Sequence, residues 1–265
     1  MRRGDVSAAA LAQAIADNGA EFLLGMGRAG GGEERDDRLR WIIGGSPIDY
    51  HNAVVAARLD AADASAEIAA SIACMQRHLV PGSWHVGPGM TPPDLDQRLV
   101  DHGFCYAGDD IGMAVDLSAL RPEPPPPGLA IGRVTTPGDL ADWVGTLGKG
   151  FGEGPAEAGW VGMIFARLGL SNPNWRHYLG RLDGVPVATA TLFLGAGVAG
   201  IYFVFTVPEA RNRGIGGAMT LAPLLEARAL GFGIGVLGAS LMGEPVYRRL
   251  GFRDYCRIGL FEWQA

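Results

Sequence analysis

The amino-acid sequence predicts an α/β (α+β) fold with a mixed, mostly antiparallel sheet flanked by helices. Three observations carry this prediction. The 265 residues are 48% hydrophobic and 19% charged, which is typical of a globular chain. Short apolar runs alternate with helix-like runs through the second half of the chain. Two of the apolar runs are separated by Asp183-Gly184, as in a tight β-hairpin.

A proline-rich segment divides the chain. Residues 121–128 include four consecutive prolines, Pro124 to Pro127. Consecutive prolines fit neither a helix nor a central strand, so this segment is predicted to be an extended spacer. We therefore expect an N-terminal domain over residues 1–120, a linker over 121–128 and a C-terminal domain over 129–265.

Hydrophobic periodicity predicts the elements of each domain. In the C-terminal domain the predicted strands are 129–134, 175–182, 185–195, 198–207, 233–237 and 253–263. One helix is predicted to begin at residue 140, and others to span 155–168, 214–230 and 245–250. In the N-terminal domain helices are predicted at 8–24, 61–79 and 94–100, and strands at 41–43, 84–86 and 111–117. Residues 25–30 match Gly-x-Gly-x-x-Gly, but no apolar helix follows them. We therefore interpret residues 25–37 as a loop rather than as a dinucleotide site.

The segment from Phe205 to Ala218 carries the strongest functional signal. It reads as the end of a strand, a turn containing Gly214, Gly216 and Gly217, and the start of a helix. Glycines let the backbone approach a ligand closely, and a helix N-terminus adds a positive partial charge. This pattern predicts a binding site for a diphosphate.

A second motif lies downstream of this loop. Residues 245–252 read Pro-Val-Tyr-Arg-Arg-Leu-Gly-Phe and lead into the last predicted strand. Together with the Arg-x-x-Gly-x-Gly spacing from Arg211 to Gly216, this segment resembles the acyl-coenzyme A loop and closing Tyr-x-x-x-Gly-Phe motif of the GNAT N-acetyltransferase superfamily. Residues 99–104 also end in Gly-Phe before a predicted strand, but the first half has no such glycine loop. The resemblance therefore implies two tandem GNAT-like domains, of which the first is degenerate.

The resemblance also implies site residues and a cosubstrate, acetyl-coenzyme A. Tyr247 would act as the general acid toward the departing thiolate. Ser240 occupies the position at which many members carry an asparagine near the coenzyme A arm. The coenzyme would be held by Phe205, Thr206, Val207, Arg211, Asn212, Arg213, Gly214, Ile215, Gly216, Gly217 and Ala218.

The sequence leaves the general base open. An alkyl amine with a pKa of about 10.4 must lose a proton before it attacks. Some family members use a glutamate at a position that falls near Gly200 here, and glycine has no side chain to serve. The alternatives are Tyr202, Glu153, Glu157, Glu244 or a chain of water molecules. Candidate acceptor contacts, for which packing or loop capping is the competing interpretation, are Trp41, Asp49, His51 and Asn52.

The predicted function is transfer of an acetyl group from coenzyme A to a primary amine by direct attack on the thioester. The alternatives are a non-catalytic acyl-coenzyme A sensor or scaffold, and acetylation of a thiol-precursor amine as in mycothiol synthase. A net charge of −6 disfavours nucleic acid as a partner, and the sequence has no apolar run of membrane-spanning length. We expect a small-molecule or peptide amine as acceptor, no metal, a cytoplasmic location, and a monomer or homodimer. Three cysteines, expected to be buried thiols, are Cys74, Cys105 and Cys256.

Overall fold

A computed structural model of the protein describes residues 7–43 and 45–264. The first six residues of the predicted N-terminal domain, and the last residue of the chain, lie outside the described part. The helices are α1 (Ala8–Gly30), α2 (Ala64–His78), α3 (Leu95–Asp101), α4 (Pro137–Leu147), α5 (Pro155–Leu168), α6 (Ile215–Ala229) and α7 (Glu244–Arg249). The strands are β1 (Glu33–Asp36), β2 (Leu39–Ile43), β3 (Ala53–Ala57), β4 (Gly82–Val86), β5 (Cys105–Asp116), β6 (Leu129–Arg133), β7 (Trp175–Leu182), β8 (Val185–Gly195), β9 (Val198–Thr206), β10 (Ile234–Ala239) and β11 (Arg253–Trp263).

These strands form one sheet in the order β1-β2-β3-β4-β11-β5-β10-β9-β8-β7-β6. Neighbouring strands are antiparallel except for two parallel pairs, β3–β4 and β9–β10. The predicted fold class, a mixed and mostly antiparallel sheet flanked by helices, is confirmed. None of the described helices is long and apolar enough to cross a membrane.

The two halves of the chain exchange their closing strands. The last strand of the second half, β11, lies between β4 and β5 of the first half, with Leu260 opposite His85 and Ile258 opposite Asp110. Strand β5 in turn pairs with β10 of the second half, where Gly112 lies opposite Gly238. The strand order therefore repeats on both sides of the central β11–β5 pair, from β4 to β1 and from β10 to β7, and β6 is an additional strand of the second half. Each half is completed by a strand of the other. The division of the chain at residues 121–128 stays a prediction.

The parallel pair β9–β10 opens into a cleft. The two strands pair only at Gly235 with Ala199 and at Val236 with Gly200, and beyond these residues they continue apart. Strand β9 also bulges, since its register against β8 shifts between Thr189 and Thr191. Crevices at the carboxyl ends of parallel strands are common ligand sites. The sheet therefore positions a candidate site at the ends of β9 and β10.

Aromatic side chains pack α1, α4 and α5 on one face of the sheet. The Phe22 ring of α1 stacks on Tyr202 with ring centroids 3.6 Å apart. Trp143 of α4 packs on Phe165 of α5 and against Phe203 of β9, at centroid distances of 5.2 and 5.8 Å. The helix α6 packs on strands β6 to β9, where the Tyr178 hydroxyl donates a hydrogen bond to Glu226. These contacts join both halves into one core.

The hairpin predicted at Asp183-Gly184 is confirmed. Both residues have positive φ, 51° and 85°, as a two-residue turn between twisted strands requires. The strands on either side, β7 and β8, have the predicted bounds.

The loop predicted over residues 25–37 is wrong. Helix α1 continues to Gly30, and β1 follows. The glycines are needed because this turn of α1 packs closely on the sheet: a Cβ on Gly27 would lie 2.1 Å from Cγ1 of the buried Ile42. The glycines of α1, which in the sequence suggested the end of a helix, therefore allow the helix to pack closely on the sheet. The prediction of buried thiols is also wrong for Cys105, which is exposed.

This packing gives a stability test on α1. We expect Gly27→Ala to lower the free energy of unfolding by about 1–3 kcal/mol because the new methyl group overlaps Ile42. The matched control is Gly19→Ala on the same helix, where a Cβ meets no atom within 4 Å. It should raise the free energy of unfolding by about 0.5–1 kcal/mol through helix propensity. Chemical denaturation measures both, and equal effects would contradict the close-packing explanation.

Candidate functional site

The segment after β9 forms an uncapped helix N-terminus. Asn212 and Gly214 adopt positive φ, 61° and 77°, which turns the chain so that α6 begins at Ile215. Within the described part of the chain no side chain caps this helix, and its first turn contains no acidic residue. Its first N–H groups therefore point out of the helix end with their partial positive charge uncompensated.

Two arginines add charge at this end of α6. Arg211 and Arg213 are exposed, and neither forms an ion pair within residues 7–43 and 45–264. The Arg211 Nε donates to the Thr206 carbonyl oxygen at 3.1 Å, and its guanidinium lies 5.8 Å from the centroid of the Phe205 ring. A Cβ on Gly216 would come no closer than 3.9 Å to the Thr206 hydroxyl, so space is left over the first turn. The arrangement suits an anion with several oxygens.

Tyr247 lies on α7, directly after β10. A Cβ on Gly217 would be 3.9 Å from Cγ1 of Val246, which shows how closely α7 adjoins the first turn of α6. Tyr247 is buried, and its hydroxyl has no hydrogen-bond partner among the described residues. Burial, with the Asp110 carboxylate nearby, raises its pKa to about 12. The competing interpretation, a core tyrosine bonded to the backbone, requires a hydrogen bond that is not found here.

Ser240 lies between β10 and α7. It is exposed, and its hydroxyl oxygen accepts a hydrogen bond from the Gly243 N–H at 3.3 Å. Its carbonyl oxygen accepts the N–H groups of Gly243 and Glu244 at 3.0 Å. Ser240 therefore starts the turn into α7, and a contact with the coenzyme stays a prediction.

Sequence reasoning missed Asp110. This residue lies on β5. Its Oδ2 would be 3.3 Å from a Cβ built on Gly238, so the carboxylate has space there because Gly238 has no side chain. The Tyr50 hydroxyl donates to the same oxygen over a long 3.5 Å. Burial raises the pKa of Asp110, and no cationic side chain of the described residues pairs with it. The available sequence signal was a pair of aspartates, Asp109 and Asp110, at the start of an apolar strand.

A cavity of about 310 Å³ reaches this carboxylate. It lies between α1 and the sheet and is lined from both halves of the chain. Tyr202 and Gly238 line it from β9 and β10, and Tyr50, His85 and Asp110 line it from the first half. Burial lowers the pKa of His85 to about 3, so its imidazole is neutral at neutral pH. The cavity therefore meets the cleft between β9 and β10 beside a carboxylate.

The base candidates from the sequence have other partners in the fold. The Tyr202 hydroxyl donates to Asn18 Oδ1 at 2.7 Å, and burial raises its pKa far above the usual value. Glu157 is buried and lies 3.0 Å from the Nε2 atom of His51. Its other carboxylate oxygen accepts the Glu153 N–H at 3.0 Å. Glu244 pairs with Arg248 at 2.7 Å, and Glu153 is exposed.

The four candidate acceptor contacts do not line the cavity. Trp41 is part of the apolar core of the first half. Asp49 accepts the side-chain amide of Gln264 at 2.8 Å. Asn52 donates to the carbonyl oxygens of Ser46 and Pro81, both at 2.8 Å, and so fixes a loop. A role of these residues, or of His51, in acceptor binding stays a prediction.

Another cluster brings together metal-ligating side chains. Ligand atoms of Glu33, Cys74 and His78 lie within 4.8 Å of one another, and the last two are four residues apart on α2. The Arg77 guanidinium, however, donates to Glu33 at 2.7 Å and to the Cys74 sulfur at 3.3 Å. A positive charge therefore already occupies the neighbourhood of these ligands, and we propose no metal there.

Solved structures share this fold. A GCN5-related N-acetyltransferase from Kribbella flavida matches with a TM-score of 0.70 at 19% identity, covering 94% of this chain and 95% of that one. A conserved protein of unknown function from Staphylococcus epidermidis ATCC 12228 matches with a TM-score of 0.65 at 14% identity, over 88% and 94% of the two chains. A tandem GNAT protein from the clavulanic acid biosynthesis pathway matches with a TM-score of 0.57 at 15% identity, over 84% and 77%. No protein-family model matches the sequence, and no curated protein does. The chain thus has the GNAT fold, as the sequence resemblance implied.

The His51–Glu157 pair gives a test of structural against chemical roles. We expect Glu157→Ala to lower the free energy of unfolding by about 3 kcal/mol, because a buried imidazole and the Glu153 N–H lose their partner. The exposed Glu153→Ala should change it by no more than about 0.5 kcal/mol. Denaturant unfolding measures both variants. A fully stable Glu157→Ala protein would return Glu157 to the candidate bases.

Proposed function

We propose that the protein transfers an acyl group, most simply acetyl, from coenzyme A to a primary amine. One observation carries this proposal: the uncapped, arginine-flanked N-terminus of α6 follows β9, and the adjoining helix α7, which follows β10, carries the unbonded hydroxyl of Tyr247. A diphosphate site beside a proton donor suits a coenzyme A thioester. The GNAT fold supports the same reaction class by analogy.

The coenzyme would bind along the open end of β9. The pyrophosphate would lie on the N–H groups of residues 214–217, with Arg211, Asn212 and Arg213 around it. The N–H of Ala218, which the sequence also assigned to the phosphates, donates instead to the Gly214 carbonyl oxygen at 3.1 Å. Phe205, Thr206 and Val207 lie beyond the last β9–β10 pair, where β10 supplies no ladder partner. The Val207 N–H already bonds the Val187 carbonyl oxygen at 2.9 Å. The backbone groups of this segment that face away from β8 can bond the pantetheine amides as an added strand would. Ser240 lies at the facing end of β10.

The reaction needs one proton removed and one supplied. The amine nitrogen attacks the thioester carbonyl carbon, and the resulting oxyanion collapses with loss of the carbon–sulfur bond. The amine proton leaves to a base, and the Tyr247 hydroxyl gives a proton to the departing thiolate. Because the pKa of Tyr247 is raised to about 12, the phenol stays protonated across the neutral range and is available as a donor.

The cavity supports a small-molecule acceptor. Its volume of about 310 Å³ is at the lower end of the range of about 300–1,000 Å³ for small-ligand pockets. The first half of the chain supplies much of its wall, so this half would shape the acceptor cleft instead of binding coenzyme A. An amine of a thiol precursor stays an alternative acceptor. A cytoplasmic location and a monomeric or homodimeric state stay predictions.

Replacing Tyr247 distinguishes an enzyme from a sensor. We expect Tyr247→Phe to lower kcat by about 10²-fold or more, because the thiolate then leaves without a proton donor. The Kd for acetyl-coenzyme A should change by less than about twofold, because the phenol stabilises mainly the transition state and adds little to binding of the coenzyme. Thiol release from acetyl-coenzyme A with a panel of amines measures the first value, and calorimetry the second. Tight coenzyme binding with no thiol release from the unaltered protein across the panel would favour the sensor.

Removing the two arginines tests the diphosphate site. We expect the double variant Arg211→Ala, Arg213→Ala to raise the Kd for coenzyme A by about 10²-fold, since two charge-assisted contacts are lost. The dependence of binding on salt should weaken as well. The control is Arg98→Ala on α3, a surface arginine that pairs with Asp94 at 3.0 Å. Equal affinity in the double variant and this control would place the phosphates elsewhere.

A further inference from the structure

We propose that Asp110 binds the ammonium form of the acceptor and takes its proton, so that the first half of the chain supplies the general base. This inference deepens the proposed function and rests on it. Three observations carry it: an unpaired carboxylate, its place at the cleft, and the cavity that leads to it.

The Asp110 carboxylate lacks a cation. Its one hydrogen-bond donor among the described residues is the Tyr50 hydroxyl, at 3.5 Å. The titratable groups that interact with it are Tyr50 from the 49–51 turn, Tyr247 from α7 and Asp109 from its own strand, and none is cationic. The same cavity is also lined by His85 and by three arginines, of which Arg38 and Arg40 pair with other carboxylates and none pairs with Asp110. The arginine closest along this ladder, Arg257, pairs with Asp109 at 3.2 Å instead. A largely buried carboxylate without a counter-charge is costly, and an ammonium ligand would provide the missing charge.

The second observation is the position of Asp110 beside the strand β10, which borders the cleft. Asp110 adjoins Gly238 of β10, two residues beyond Val236, where β10 parts from β9. Its charge reaches Tyr247, whose pKa it helps to raise. The carboxylate and the proposed acid are therefore close enough to interact electrostatically.

The cavity supplies a route for the acceptor. Asp110 lines it together with Tyr50 and Tyr202, so an amine in the cavity would reach the carboxylate before the cleft. On arrival the ammonium gives one proton to Asp110. The neutral nitrogen then attacks the thioester carbon, and the nitrogen of the adduct loses its second proton to solvent. The carbon–sulfur bond breaks, and Tyr247 protonates the sulfur. Solvent then takes the proton from Asp110 and reprotonates Tyr247, so that one proton is released per cycle and charge balances.

The substrate class follows from this chemistry. An alkyl amine with a pKa of about 10.4 is almost entirely protonated at pH 7, and only such an acceptor needs both the anchor and the base. An alkoxyamine of the same length is largely neutral at that pH and needs neither. The inference therefore assigns a small alkylammonium compound as the acceptor.

The first test uses the full chain and a matched pair of acceptors. Butylamine and O-propylhydroxylamine have nearly the same shape and differ in basicity. We expect Asp110→Asn to lower kcat/KM for the alkylamine by about 10²–10⁴-fold at pH 7, and by less than about tenfold for the alkoxyamine. The loss for the alkylamine should shrink at a pH at which the amine is already neutral. Calorimetric binding of acetyl-coenzyme A should be unchanged.

The control is Asp109→Asn, one residue away on the same strand, which should retain the alkylamine activity of the unaltered protein. Equal losses for both acceptors at every pH, or no loss for either, would overturn the role of Asp110 while leaving the transferase function intact. No thiol release from the unaltered protein with any amine would instead refute the proposed function.

A second measurement does not depend on turnover. Removing an unpaired carboxylate should stabilise the fold, so Asp110→Asn should raise Tm by a few °C at pH 8. The folded-state pKa of Asp110 is raised, so its charge opposes folding fully above that pKa. The difference in Tm should shrink as the pH falls through the folded-state pKa, and it should vanish below the ordinary aspartate pKa of about 3.9 that applies to the unfolded chain. Butylamine at millimolar concentration should raise the Tm of the unaltered protein more than that of Asp110→Asn. A lower Tm for the variant at pH 8, or equal shifts with butylamine, would show a structural carboxylate and overturn the inference.

Discussion

The exchange of β5 and β11 is the constraint on which the rest of the structure depends. Each strand leaves its own half of the chain and pairs with a strand of the other half, so the central four strands are β4, β11, β5 and β10. Because β5 lies directly beside β10, the side chains at the start of β5 come to the open end of the β9–β10 cleft. The proposed site therefore needs both halves even though its phosphate loop and its tyrosine belong to the second half alone.

This constraint gives the first half a function despite its lack of a glycine loop. Its parallel pair β3–β4 keeps the geometry of β9–β10 and pairs at only two positions, Ala53 with Ser83 and Val54 with Trp84. No glycine-rich turn follows β3 in the sequence. What this half retains is a wall for the cavity and, in our proposal, the carboxylate of Asp110.

The sequence predicted local features better than those created by the sheet order. The hairpin at Asp183-Gly184 could be predicted because both residues tolerate positive φ. The helix after Gly214 could be predicted because a glycine turn precedes a run with helical periodicity. The glycines of α1 were misread because their partners, such as Ile42 on β2, are distant in the chain. Strand β3 was missed since its small residues give no alternation. Asp110 was missed for a related reason: its neighbour Gly238 lies across a strand exchange, and nothing in either segment specifies that pairing.

The two titratable groups of the proposed site act on each other. The Asp110 carboxylate helps to raise the pKa of Tyr247, and this makes the phenol a weak acid while the cavity is empty. An ammonium bound at Asp110 would neutralise the charge of the carboxylate. After the proton has moved from the ammonium, the Asp110 carboxyl group itself is neutral. Either state lowers the pKa of Tyr247 relative to the empty site, because a nearby anion is neutralised. The acid would therefore strengthen only when an acceptor is present, which would favour amine transfer over hydrolysis of the thioester. In this arrangement the strand exchange links acceptor binding, through one carboxylate, to the release of the thiol.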